Sequence, residues 1–328
     1  MIRAGHDVSA PPRPRVGTAG RGDDSGTGVI TMTEHGAQHQ TLNPPIIVAV
    51  DGSAVSYQAV AWAALDAARH GCPLCIVTSI CAPAGPPPTA VLSTAEIAEL
   101  ELDGERIVGE ATRIASETLP GEGVETSSVV TPDPIIGYLI DQSSQARMLV
   151  LGSRGLGALR RGPLGSVSSA VTHHAQCPVA VIHTTAAADP VSARQPVLVG
   201  VDGTENSVPA LALAFEEASL RKTGLTALHA WSDFSGPYLP MSGWETVAEQ
   251  ERATFGEEMA GFAERYPDVP VRRILVKDRP VRSLLEESEH AQLVVVGSHG
   301  RGGFTGMLLG STSSALLHTV DCPILIVR

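Results

Sequence analysis

Lysine is almost missing from this chain: its 328 residues include only Lys222 and Lys277. Any site for an anion must therefore be built from arginine, backbone N–H groups or a metal ion. The dipeptide Gly-Lys is absent as well, which excludes a Walker-type phosphate loop. Cysteine is sparse. Cys72, Cys75, Cys81, Cys177 and Cys322 are too few and too irregularly spaced for a disulfide scaffold. They read as reduced thiols, as expected of a soluble cytoplasmic protein. No apolar run approaches the ~18 residues a membrane span needs. The N-terminal stretch also lacks the continuous apolar core of a secretory signal. Positive charge is short overall. The net charge of −12 repels a polyanion and argues against nucleic acid as a partner.

What the chain does have is apolar material. It is 43% hydrophobic and 18% charged, enough for two packed domains at roughly 100–200 residues each. Residues 1–43 are rich in Gly, Pro, Arg, Thr and Asp without periodicity and are expected to form a disordered tail. Met32, followed by Thr-Glu-His, offers a second candidate start.

Order is expected from Pro45. The apolar run Ile46–Val50 ends in Asp51-Gly52-Ser53, and far downstream Val197–Val201 ends in Asp202-Gly203-Thr204. Likewise Met148–Leu151 runs into Gly152-Ser153-Arg154-Gly155, and Val294–Val296 into Gly297-Ser298-His299-Gly300. The segments from Gly152 to Pro178 and from Gly297 to Pro323 align without a gap, with 13 of 27 positions identical. The chain is an internal duplication. Each copy reads as strand, helix, strand, a longer insert with a helix, strand, short helix, strand, glycine loop, helix and final strand. Short, fully apolar strands alternating with helices imply a parallel sheet covered on both faces. The expected fold is α/β: two tandem Rossmann-like domains, each a five-stranded, mainly parallel sheet. Their expected bounds are 44–184 and 196–328, with a linker over 185–195. The apolar last strands, ending at Ile182 and Val327, look like sheet edges that need cover. The two copies are therefore expected to pair these edges within one chain, and a homodimer could add to that.

The chemistry is carried by the loop after the fourth strand. Gly152 and Gly155 are followed by nine residues and then Gly165-Ser166; Gly297 and Gly300 are followed by nine residues and then Gly310-Ser311. Ligands of open α/β sheets sit at the carboxyl ends of the strands. Glycines there let backbone come close to a ligand. The helix opening at Gly165-Ser166 presents free N–H groups and its positive dipole end to an anion. The hydroxyls of Ser166 and Ser168, or of Ser311, Thr312 and Ser313, add donors. Asp51 and Asp202 face the same crevice, where each can accept from a base amine or ribose hydroxyl, or help hold Mg²⁺. The plainer alternatives are that each aspartate only caps the next helix and that the loop is only a flexible connection.

Other signals point to packing. The dinucleotide fingerprint fails, because Gly155-x-Gly157 is followed by Arg160 and the loop follows strand four rather than strand one. Cys72 and Cys75 have redox-motif spacing but begin a strand, where no helix dipole would activate a thiolate. His173 and His318 match across the copies without a carboxylate partner in sequence, and no Ser-His-Asp triad can be assembled from matched positions. Arg154 and His299, inside the two loops, can either reach a ligand or face water.

The pattern G-x2-G-x9-G-[S/T], present in full in both copies, resembles the universal stress protein family in its ATP-binding branch. The resemblance covers about Pro45 to His183 and Gln195 to Arg328. It implies two ATP sites per chain. Asp51 and Asp202, with backbone near Ser79 and Ala230, would hold adenine. Gly152, Gly155, Gly297 and Gly300 would lie by the ribose. Gly165, Ser166, Val167 and Ser168, and Gly310, Ser311, Thr312 and Ser313, would hold the phosphates, often with Mg²⁺. The implied role is a nucleotide-dependent stress-response regulator or sensor. One alternative is a slow ATPase or self-phosphorylating enzyme, for which Arg160 and Arg161 offer cations in copy one, whereas copy two has Thr305 and Gly306. The other is a cyclic-AMP-binding member of the same family.

Overall fold

Strands β1 (Ile46–Ala49) and β2 (Leu74–Ser79) flank the first helix, α1 (Ala54–His70), and all three form for local reasons. Ser53 accepts the Ser56 N–H at 3.2 Å and starts α1. Gly71 ends it in the left-handed region (φ 60°), its N–H bonding back to Ala67 and Ala68. Ala59, Val60, Ala63, Ala64 and Ala67 then face the sheet and are fully buried. The computed structural model describes residues 43–81, 93–119, 121, 123–155, 164–183, 192–230, 244–300 and 308–328. The expected N-terminal tail and most of the expected linker lie outside the described residues.

The first half continues with α2 (Thr94–Thr118), β3 (Thr126–Thr131), α3 (Ile135–Gln142), β4 (Met148–Gly152), α4 (Ser166–His174) and β5 (Val179–Ile182). The second half repeats the series: β6 (Val197–Val201), α5 (Val208–Leu220), β7 (Leu225–Ala230), α6 (Trp244–Arg265), β8 (Val271–Val276), α7 (Pro280–Ser288), β9 (Leu293–Gly297), α8 (Ser311–Thr319) and β10 (Ile324–Val327). The copies differ where α5 begins. A 3₁₀ turn over Glu205–Ser207 replaces the first α-helical turn, because Pro209 has no N–H to return to Glu205.

The ten strands of the described residues join in one sheet, ordered β3-β2-β1-β4-β5-β10-β9-β6-β7-β8. Every pairing is parallel except the central one. There β5 and β10 run antiparallel, with Val179 opposite Ile326, Ala180 opposite Leu325 and Val181 opposite Ile324. Both strands are wholly buried, so each half covers the apolar edge that the other would expose. One face of the sheet packs under α1, α2, α5 and α6 around Val60, Ile76, Phe215 and Val295. The other packs under α3, α4, α7 and α8 around Leu139, Leu149, Leu316 and Ile324.

Glycine 104 sets how closely α2 lies on β2 and β3. A Cβ there would come within 2.8 Å of both Ile80 Cγ2 and Val130 Cγ1. Gly104→Val is expected to force the helix off the sheet and cost about 1–3 kcal/mol, read from chemical unfolding. An unchanged midpoint would show that the helix shifts freely.

Candidate functional site

In each half the strand order reverses at one place. From β1 the chain steps outward to β2 and β3, then returns to place β4 on the other side of β1. Connections leave in opposite directions there, opening a crevice at the carboxyl ends of β1 and β4. Asp51, just beyond β1, and the glycine loop beyond β4 flank that crevice. Asp202 and the loop beyond β9 flank its counterpart between β6 and β9.

Each aspartate has two tasks. Asp51 Oδ1 accepts the Ser53 N–H at 3.0 Å, fixing the Asp-Gly-Ser turn, in which Gly52 holds φ 84°. Asp202 Oδ1 accepts from Thr204 N–H at 3.0 Å and Thr204 Oγ1 at 2.7 Å. The other oxygen, Oδ2, faces the glycine loop. A Cβ on Gly300 would sit 2.7 Å from Asp202 Oδ2, and one on Gly155 would overlap Asp51 Oδ2 more severely still. Turn capping and a crevice-facing carboxylate therefore coexist in one residue.

The loop is pinned at its base. The Gly165 N–H donates to Ser153 C=O at 2.8 Å, and the Gly310 N–H to Ser298 C=O at 2.7 Å. Both glycines are extended N-caps without a capping side chain. The first-turn N–H groups, from Ser166 and Val167 in one half and Ser311 and Thr312 in the other, have no helical partner. Ser166 and Ser311 are exposed. Ser168 and Ser313 are not: their hydroxyls are buried and donate to Gly152 C=O at 2.6 Å and Gly297 C=O at 2.5 Å. They brace the helix against the strand end, so their side chains are committed and only their backbone points up the first turn. Ser79, at the end of β2, likewise spends its hydroxyl on Asp133 C=O at 2.7 Å, leaving backbone as the group it offers, as Ala230 does at the end of β7. Gly152 and Gly297 lie tight against the opening of the helix that follows the aspartate. Their Cβ positions would approach Ser56 N at 3.3 Å and Asn206 O at 3.1 Å. The loop spans 156–163, with Arg160 and Arg161, and 301–307, with Thr305 and Gly306, lie outside the described residues.

The cysteine signals resolve toward packing. Cys72 and Cys75 are free thiols, and burial pushes both up from their ordinary value. Burial pushes Cys177 and Cys322 up to about 12. His173 bonds Ser169 C=O of its own helix. Sequence reading missed a different group: Asp66 and His70 on α1, with Glu216 and Glu217 on α5 and Arg221 at its C-cap, meet where the two halves join. Their signal was in the duplication itself, since Asp66 matches Glu217 and His70 matches Arg221 at a constant offset.

Two tandem open α/β halves, each with a carboxylate and a glycine-capped helix at its switch point, define a class of proteins with two equivalent crevices, which the antiparallel β5–β10 join sets at opposite ends of a shared sheet. The chain belongs to the universal stress protein family, whose model matches residues 43–183 and again 193–328. It is 46% identical to universal stress protein Rv2005c of Mycobacterium tuberculosis over 288 residues, spanning 86% of this chain and 96% of that protein. It is 42% identical to a universal stress protein of Mycolicibacterium smegmatis over 294 residues, with the same two shares. The fold is similar to the crystal structure of a universal stress protein from Archaeoglobus fulgidus, with a TM-score of 0.61 at 18% identity, covering 88% of this chain and 98% of that one. Among the described residues, no helix is long and apolar enough to cross a membrane.

Proposed function

We propose that each half binds one ATP molecule at its switch-point crevice, and that the chain acts as a nucleotide-dependent regulator in the stress response. The observation that carries the reading is the repeated pairing, in both halves, of a crevice-facing aspartate with a helix whose N-terminus is capped only by glycine. Asp51 or Asp202, with the backbone at Ser79 or Ala230, takes the adenosine end. The first-turn N–H groups of α4 or α8, with the Ser166 or Ser311 hydroxyl, take phosphate oxygens. Backbone donors and a helix dipole suffice, which suits a chain with two lysines. Mg²⁺ fits this donor set, since it favours a carboxylate or hydroxyl beside phosphate oxygens. It would neutralise the triphosphate where the chain supplies little positive charge.

Native mass spectrometry of the purified chain, followed by calorimetric titration with ATP, AMP and cyclic AMP in the presence of Mg²⁺, tests this directly. The expected result is two ATP per chain, bound more tightly than AMP or cyclic AMP. Tighter binding of cyclic AMP, or no nucleotide at either crevice, would overturn it. Phosphate release in the same samples separates a regulator from a slow ATPase.

A further inference from the structure

The groups where α1 meets α5 form a pattern. Strand register relates the halves by an offset of 151 residues, matching Ile46 to Val197 and Leu74 to Leu225. Asp66 is thereby equivalent to Glu217, and His70 to Arg221. The four make a square of alternating charge about the pseudo-two-fold. Across the join, Arg221 Nη2 bonds Asp66 Oδ1 at 2.5 Å and His70 Nε2 lies 2.9 Å from Glu217 Oε1. Along each helix, Arg221 lies 2.9 Å from Glu217 Oε2 and His70 Nε2 lies 3.7 Å from Asp66 Oδ2. All four side chains are 0–4% exposed.

We propose that this square is a proton-operated clasp: the halves close on a His70 that carries a proton, so acid tightens their pairing and alkali loosens it. Three observations support it. First, the two fully buried carboxylates have one fully buried guanidinium between them, and the next cation, Arg69, reaches Asp66 only at 3.6 Å from a partly exposed position, so the buried square itself is short of one well-placed positive charge. Second, His70 occupies the corner where its symmetry mate is a permanent cation. Third, both ring nitrogens face acceptors: Nε2 faces Glu217 and Asp66, and Nδ1 faces Glu216 Oε1 at 3.5 Å. A neutral imidazole has one N–H, whereas imidazolium donates from both nitrogens. With Nε2–H directed at Glu217, a second proton on Nδ1 gives that nitrogen, which has no hydrogen bond of ordinary length, a donor toward Glu216.

The other groups around the ring are Arg69, 3.6 Å from Asp66 Oδ1, Arg147, 2.5 Å from Glu216 Oε1, and the Cys72 thiol just beyond α1. Both arginines are about 30% exposed and partly screened by solvent. The three donor atoms of Asp66, His70 and Glu217 lie within 4.8 Å of one another.

Burial alone would lower the His70 pKa. The acceptors Glu216 and Glu217 facing its two nitrogens and the charges of Glu217 and Asp66 outweigh it, raising His70 to about 9. Asp66 is raised, by burial and by Glu217, only to about 6, and Glu217 is held low by Arg221 and His70. Both carboxylates lie below His70. A folded-state pKa above the ordinary value of about 6.5 gives stability that is complete below about 6.5 and lost as pH rises through about 9. Uptake of one proton changes the pairing constant by up to roughly tenfold per pH unit within that window.

Hydrogen exchange of the β5 and β10 amides in the full chain, at pH 6 to 10 and corrected for intrinsic rates, reads the clasp. Protection of the wild-type ladder is expected to fall by up to about tenfold per pH unit above pH 6.5. His70→Arg, which copies the symmetry mate, is expected to keep protection high and flat. His70→Gln is expected to be low and flat. The same pH slope in His70→Gln, or an imidazole that titrates below 6.5 by NMR, would overturn the proposal. So would Zn²⁺ raising protection at pH 8 and EDTA reversing it, since the cluster would then belong to a metal.

Discussion

Alanine at Gly155 is expected to remove nucleotide from the first half, leave the second half's site intact and preserve the fold. A single methyl is sufficient because the space above Gly155 is already occupied by Asp51 Oδ2. The carboxylate must turn away, breaking its bond to the Ser53 N–H or withdrawing from the crevice. Both routes remove the acceptor assigned to the adenosine end. A lost charged hydrogen bond of about 1.5–3 kcal/mol, together with a loop displaced from its base, implies an affinity drop of about 100-fold or more. Gly300→Ala should do the same in the second half, with a smaller overlap since its Cβ would sit 2.7 Å from Asp202 Oδ2. Both variants should unfold close to wild type, because neither glycine is in the core. The readout is calorimetric stoichiometry: one ATP per chain in each variant and none in the double variant. Two sites of unchanged affinity in Gly155→Ala would remove Asp51 from the binding reading. Loss of both sites in either single variant would instead show that the crevices act as one.

Most of this fold was legible in the sequence because its strands are short, apolar and buried on both faces, so they stand out between amphipathic helices. Val179–Ile182 and Ile324–Val327 even announced their partner. Two wholly apolar edges in one chain need cover, and each supplies it to the other. The crevice residues were legible for a related reason, since a duplicated spacing of glycines survives only a few backbone geometries. What the sequence did not show is where side chains point. Ser168 and Ser311 look alike as hydroxyls near a helix N-terminus, yet Ser168 turns inward to its own strand and Ser311 faces out. The charged square was hidden more deeply. Asp66 and His70 at i, i+4 on a helix resemble any solvated ion pair. Only the antiparallel junction of β5 with β10, which turns α1 and α5 toward each other, converts that surface pattern into a desolvated one.

That desolvation sets the second large effect. Arg221→Met should cost about 3–5 kcal/mol, since it leaves Asp66 and Glu217 facing each other without the cation that bridges them. The guanidinium also lies 5.3 Å above the Trp62 ring, so part of the loss is a cation–π contact. For a chain of this size the change corresponds to a fall in melting temperature of roughly 5–10 °C if both halves unfold together. Burial of the charges, rather than the number of ion pairs, is what makes the effect large. Arg113 makes two equally short bonds, to Glu110 and Glu117 on the solvent face of α2, and Arg113→Met is expected to leave the melting temperature unchanged, because water replaces the partners. Replacing the carboxylates as well separates the two origins of the loss. Asp66→Leu and Glu217→Met on top of Arg221→Met remove every charge that needed Arg221, and the triple variant should recover most of the stability lost by the single one. If Arg221→Met melts with the wild type, water reaches the join and the square is not desolvated. If the triple variant stays as weak as the single one, Arg221 holds the halves together by packing on Trp62 rather than by charge.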